Sequence, residues 1–357
     1  MLRINKTLFL LIALLSHSTI FSQGTESKEI VTLPNPTVSI ESAGHDIIIS
    51  AWDENKVKVV VESDDTKLLP PGKNLFEGFY ITLNGNASTV RIRVDWKRFQ
   101  GDGLKKIVQG NVKPLKARMT VYLPARSGLN IDNRFSDIVL NNDFAEADFR
   151  LVGGELVAFN IDKLRLDAQL AKIRIGNVIK ANVVLEGNHK LYAKRIETLH
   201  IKSNGSDISY DGGRYAYIES EIDKYSIGTI DTLICSKTSG TLVVSAVAKS
   251  LELQGSNADM TIRTISPAVK NVQVINRHAT IRVPLNSFKN LKLDFEGLNS
   301  IVHTPIEVVV PKSAASIKRT NYDPQFAPTK FTSSRGIVNE NATIVKVFCD
   351  ACILDMR

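Results

Sequence analysis

Apolar and polar residues alternate over short runs through most of this chain, and the runs recur. From about Leu129 to Ile301 they form two interleaved series. The first contains Leu164/Leu166, Val183/Leu185, Leu199/Ile201, Leu233/Cys235, Leu251/Leu253, Val272/Val274 and Leu291/Leu293. The second follows the first by seven to ten residues, Tyr225/Ile227 alone having no first-series member before it: Ile173/Ile175, Leu191, Ile208/Tyr210, Tyr225/Ile227, Leu242/Val244, Met260/Ile262, Ala279/Ile281 and Ile301. A period of two puts Leu164 and Leu166 on one face of a strand and Arg165 on the other. The same holds for His200 between Leu199 and Ile201, and for Glu252 between Leu251 and Leu253. Links such as Gly153-Gly154, Gly176-Asn177 and Asp211-Gly212-Gly213 supply residues that tolerate the left-handed backbone of tight corners. Eight or nine residues per half-repeat leave no room for a crossover helix. A Greek-key sandwich would also space strands this way, but it does not require two registers to persist side by side. The pattern therefore predicts an all-β chain. Its expected form is a right-handed parallel β-helix, a β-solenoid of about 18 residues per coil with β-rich capping regions at both ends.

Taken in order, residues 1–22 read as a signal peptide. Arg3 and Lys6 precede an apolar core at residues 8–15, and Ile20-Phe21-Ser22 forms a small-residue cleavage site. Residues 23–37 are a polar lead-in, 38–125 an N-terminal β-rich cap, 126–304 the solenoid and 305–357 a C-terminal cap. Caps are expected because a bare last coil is an open sheet edge. With no second long apolar run, no transmembrane segment is expected once the signal is removed. The expected location is exported: periplasm, outer cell surface or extracellular.

Residues 38–57 (VSIESAGHDIIISAWDENKV), the strand MTVYLP at 119–124 and the segment LNIDNRFSDIVL at 129–140 carry a resemblance. They resemble the exported adhesin-like β-solenoid proteins of diderm bacteria, the auto-transporter-adhesin and head-domain-like family of unknown function. Ser136-Asp137 stands where that family usually has a glycine. The resemblance implies an envelope or extracellular location and an adhesive or scaffolding role. It brings no catalytic residues.

Charge adds one distinct feature. The formal charge is +8, or +6 without Arg3 and Lys6. Residues 89–118 alone hold Arg91, Arg93, Lys97, Arg98, Lys105, Lys106, Lys113, Lys116 and Arg118 against Asp95 and Asp102, nine minus two giving +7. Trp96 and Phe99 are interleaved. Arg91, Arg93, Lys97, Arg98, Lys105 and Lys106 are the candidate docking residues for anionic envelope polysaccharide or lipid headgroups. The plainer reading is a solvated, solubilising loop. Nucleic acid suits the charge but not export.

Candidate chemistry is sparse. Cys235 occupies an inward position and reads as a small buried hydrophobe. Cys349 and Cys352 are spaced C-x-x-C, but neither a thioredoxin-type βαβ context nor further zinc ligands accompany them. A local disulfide fixing the terminal strand is the better expectation. The acidic run Asp207, Asp211, Glu219, Glu221 and Asp223 raises a carbohydrate-active β-helix enzyme, a polysaccharide lyase or glycosidase, as the rival function. Alternation places Asp207 before a strand, Asp211 in its turn and the other three in the next link, a polar corner rather than a stacked carboxylate ladder. The histidines show no metal-ligand spacing, and no catalytic, cofactor-binding or metal constellation emerges. The leading function is thus a non-enzymatic adhesin-like or envelope-scaffolding protein.

Overall fold

The computed structural model describes residues 24–63, 72–95, 117–308, 319–322 and 329–357. The signal-peptide segment lies outside these residues. The described residues are 74% strand and 1% helix. Its one described helix, Leu75–Gly78, is a single turn whose N-cap Asn74 accepts the Glu77 N–H at 2.9 Å. All described strands join one mixed, 24-stranded sheet that nearly closes on itself around the apolar core.

Parallel pairing dominates the middle of the chain. Leu129 faces Ala147, Ala147 faces Leu164, Leu164 faces Ala181, Ala181 faces Leu199 and Leu199 faces Ala216. Each step is 17 or 18 residues, and every member is buried. This inward row alternates leucine with alanine, so large side chains of one layer sit over small ones of the next. A second inward row runs Ile131, Phe149, Leu166, Val183, Ile201 and Ile218. The sequence series passes from Leu199/Ile201 to Leu233/Cys235, and Ala216/Ile218 fills the gap. The last second-series member is displaced by one: Ile301 is 41% exposed, and Val302 is the buried residue. Asn299, at φ 49°, and the buried Ser300 turn the corner before it, the Ser300 hydroxyl donating to Leu298 O and Cys349 O.

The ends depart from a uniformly parallel coil. Thr37–Ala43 lies between Thr89–Val94 and Gly128–Arg134 and pairs in parallel with both. Thr343–Asp350 likewise lies between Asn271–Arg277 and Leu291–Leu298. The Val272/Val274 and Leu291/Leu293 members of the sequence series are therefore not direct partners. Outer strands then cover the edges antiparallel: Ile81–Gly85 on Thr89–Val94, Lys56–Ser63 on Arg118–Pro124, and Thr329–Arg335 on Leu291–Leu298. They occupy N–H and C=O groups that a terminal parallel strand would leave open. The sheet is mixed for that reason, which corrects the purely parallel expectation.

One corner recurs, closed by side chains three residues apart. Asn133 and Ser136 exchange two hydrogen bonds at 2.7 Å; the Asn276 amide donates to Ala279 O at 3.0 Å and accepts its N–H at 3.1 Å. Cys349 pairs opposite Asn276, which brings Cys352 to the position of Ala279. The two cysteines have Cα atoms 5.7 Å apart, within disulfide reach, and both are buried. Cys235 is a free, buried thiol, its pKa pushed up to about 12 by burial.

His45 belongs to the core near the first strands. Its ring meets Phe79 edge-on at 5.4 Å, and its Nδ1 accepts the Ala117 N–H at 3.4 Å. Burial depresses its pKa to about 4. Between the ordinary histidine value near 6.5 and about 4, the unfolded chain binds a proton that the folded chain does not. Stability is then full above that window and falls as pH drops through it, by up to about 3 kcal/mol. Urea unfolding at pH 7 and pH 4.5 should show this loss, and His45→Gln should flatten it.

Candidate functional site

The outward side chains of the parallel strands form two neighbouring rows. One reads Asp148, Arg165, Asn182, His200, Tyr217; the other reads Arg150, Asp167, Val184, Lys202, Glu219. They face out because Ala147, Phe149, Leu164, Leu166, Ile201 and Ile218, which alternate with them, face the core. Together they line a shallow hollow of about 560 Å³.

Its charges are matched. Three cations, Arg150, Arg165 and Lys202, stand against three carboxylates, Asp148, Asp167 and Glu219, so the formal sum is zero. Each cation sits opposite a carboxylate on a neighbouring strand: Arg165 opposite Asp148, Arg150 opposite Asp167, Lys202 opposite Glu219. The Arg165–Asp148 separation is 4.0 Å. Such exposed pairs stabilise little, roughly 0–1 kcal/mol each, and remain available to hydrogen-bond a ligand. The Tyr217 hydroxyl donates to Glu219 at 2.7 Å, which raises its pKa and keeps the phenol protonated. The His200 ring lies 5.9 Å from Tyr217 at one end of the hollow, with Tyr215, 5.6 Å from His200, just outside its lining. A second hollow, of about 330 Å³, adjoins it and is lined by Glu41, Asp132, Asp148 and Arg150. There Arg93 pairs with Glu41 at 3.3 Å and Arg134 with Asp132 at 3.7 Å.

Of the candidate docking residues, Arg91 and Arg93 lie exposed on Thr89–Val94, at the end of this same outward face. Lys97, Arg98, Lys105 and Lys106 lie outside the described residues. Among the described residues no group of three or more His, Cys, Asp or Glu side chains could hold a metal. No described helix is long and apolar enough to cross a membrane.

The acidic run divides in a way alternation alone did not show. Asp207, Asp211 and Glu221 are exposed; Glu219 lies on a strand and joins the hollow. Asp223 is fully buried. It accepts the Ser203 hydroxyl at 2.8 Å, the Ser220 hydroxyl at 2.6 Å and the Ser206 N–H at 2.5 Å. Ser203 in turn accepts from the Tyr225 hydroxyl at 2.5 Å, and Ser220 accepts from Lys237 Nζ at 2.8 Å. Every proton in this chain of bonds has a consistent direction. Burial lowers the Lys237 pKa, while the Asp223 charge opposes that shift. Gly240, at φ 81°, passes so close that a Cβ there would run into the Asp223 carbonyl oxygen. The network replaces apolar packing at one corner of the core and is closed to solvent. It is structural.

Comparison with known proteins gives distant likenesses. No family model matches the chain, and no curated protein matches it. Among solved structures, a proposed lipid-binding protein from Parabacteroides distasonis is 10% identical, covering 70% of this chain and 96% of its own, at a TM-score of 0.36. A proposed adhesin from Parabacteroides merdae is 12% identical, covering 72% and 95%, at a TM-score of 0.32. Another, from Bacteroides fragilis, is 9% identical, covering 93% and 97%, at a TM-score of 0.24. At TM-scores this low, the functional reading rests on the molecule's own residues.

Sequence reasoning identified Arg165 and His200 as outward-facing but did not assemble the hollow. Its rows join residues 17 or 18 apart, so they appear only once the register is known. The buried Lys237 was missed altogether. Its one sequence signal is its place two residues after the inward Cys235 on a period-two strand.

Proposed function

We propose that this chain is a non-enzymatic, exported adhesin-like or envelope-scaffolding protein, and that its parallel ladders wind as a right-handed β-helix whose outward face is the binding surface. The 17- and 18-residue register steps and the twist bias of parallel crossovers support the winding. The observation that carries the function is the matched charge of the hollow. Glycosidic hydrolysis uses two carboxylates across the scissile bond, one of them a proton donor. Here each carboxylate stands opposite a cation on a neighbouring strand, an arrangement suited to holding a ligand. The rival carbohydrate-active enzyme would have to use Glu41, Asp132 and Asp148 in the second hollow, where Glu41 and Asp132 are each paired to an arginine.

Arg91, Arg93, Lys97, Arg98, Lys105 and Lys106 extend this proposal to anionic envelope polysaccharide or lipid headgroups. Exposed charges are screened over about 8 Å at physiological salt, so binding through them should weaken steeply as salt rises. A pull-down on purified envelope polysaccharide and on anionic vesicles checks this. Arg98, Lys105 and Lys106 changed together to Ser should reduce retention at low salt without moving the thermal midpoint. Retention indifferent to salt and to the triple change would return the segment to a solubilising loop.

A further inference from the structure

Resting on the adhesin-like reading, we propose that the hollow between Asp148 and Glu219 is a subsite for a neutral oligosaccharide, laid across the strands with one sugar face on the rings of Tyr217 and His200. Three observations select this ligand class. The hollow's charges cancel, so an anionic or cationic polymer would meet as many repelling groups as attracting ones. A sugar bears no charge but many hydroxyls, each both donor and acceptor. The paired Arg165 and Asp148, with the Asn182 amide, offer both kinds of partner on a rigid sheet. The ring cluster supplies an apolar platform at one end, His200 being 5.9 Å from Tyr217. The hydroxyl of that tyrosine is already engaged by Glu219, which fixes the ring.

Geometry fits an extended chain. The rows cross five strands, and neighbouring strands lie about 4.8 Å apart, so equivalent outward positions, most of them polar, repeat at nearly the length of one hexose unit. The site is open and shallow, which suits many weak contacts in register rather than one enclosed pocket. Because its charges cancel, its binding should be nearly indifferent to salt.

The test is calorimetric titration of the full chain, at low and high salt, with three probes of matched length. These are a neutral cello-oligosaccharide, an oligogalacturonate and a mixed lysine–glutamate peptide. The neutral sugar should bind at both salt levels. Tyr217→Ala or His200→Ala should weaken it about tenfold, the scale of one lost aromatic contact. Tyr217→Phe, which keeps the ring, should retain most of the affinity. Tyr192→Ala, on a strand row outside the hollow, should leave it unchanged; all variants should keep the parent's thermal midpoint. Failure of the neutral sugar to bind would overturn the inference, as would preference for the oligogalacturonate or the peptide, or equal affinity in Tyr217→Ala. If envelope material still binds the full chain in those cases, the adhesin-like reading survives without this subsite.

Discussion

Asp223→Ala is expected to lower the unfolding free energy by about 3–5 kcal/mol, among the largest effects of any single polar substitution in this chain. The carboxylate is fully buried and gathers two serine hydroxyls and a backbone N–H. Removing it leaves Lys237 Nζ in the core with Ser220 as hydrogen-bond acceptor but no counter-charge. A buried charge without compensation costs several kcal/mol, whereas removing both partners together is often close to neutral. Lys237→Met in the Asp223→Ala background should therefore recover much of the loss. Urea midpoints of the two single variants and the double variant measure the coupling. Additive losses would mean that the two groups do not act as a unit.

Comparable losses are expected when a charge enters the inward rows. Leu166, Ile201 and Leu253 are at most 3% exposed and belong to the continuous apolar core. Aspartate at any of them would be buried without a partner, which costs several kcal/mol, a large fraction of a typical domain's stability. Arg165→Ser, His200→Ser and Glu252→Ser are expected to stay within about 0.5 kcal/mol of the parent, because those side chains face solvent. Circular dichroism and thermal melts of both sets give the comparison. Equal tolerance would contradict the register.

The same residues show how far the sequence could be read. Period-two alternation is a local property, so the inward identity of Leu164, Leu166, Ile201 and Leu253 was visible without a structure. The full row was not, because every second member is alanine at 147, 181 and 216, too weak an apolar signal to mark a strand. Which strands are neighbours at the ends was also hidden. Thr343–Asp350 has the same alternating pattern whether it caps the sheet or enters it between Asn271–Arg277 and Leu291–Leu298. Alternation likewise could not separate Asp223 from Glu221, since a link that turns inward changes which residue is buried. The hollow lies furthest from the sequence: its rows are built from long-range register alone.

The outward face is expected to bind its ligand without turning it over. The most direct measurement incubates the full chain with purified bacterial envelope polysaccharide and follows both retention and chain length of the recovered polymer. Retention is expected with the polymer returned at its original length, and no new reducing or unsaturated ends. Shortening of the polymer that disappears on substituting Glu41, Asp132 or Asp148 would contradict it and establish the carbohydrate-active enzyme instead.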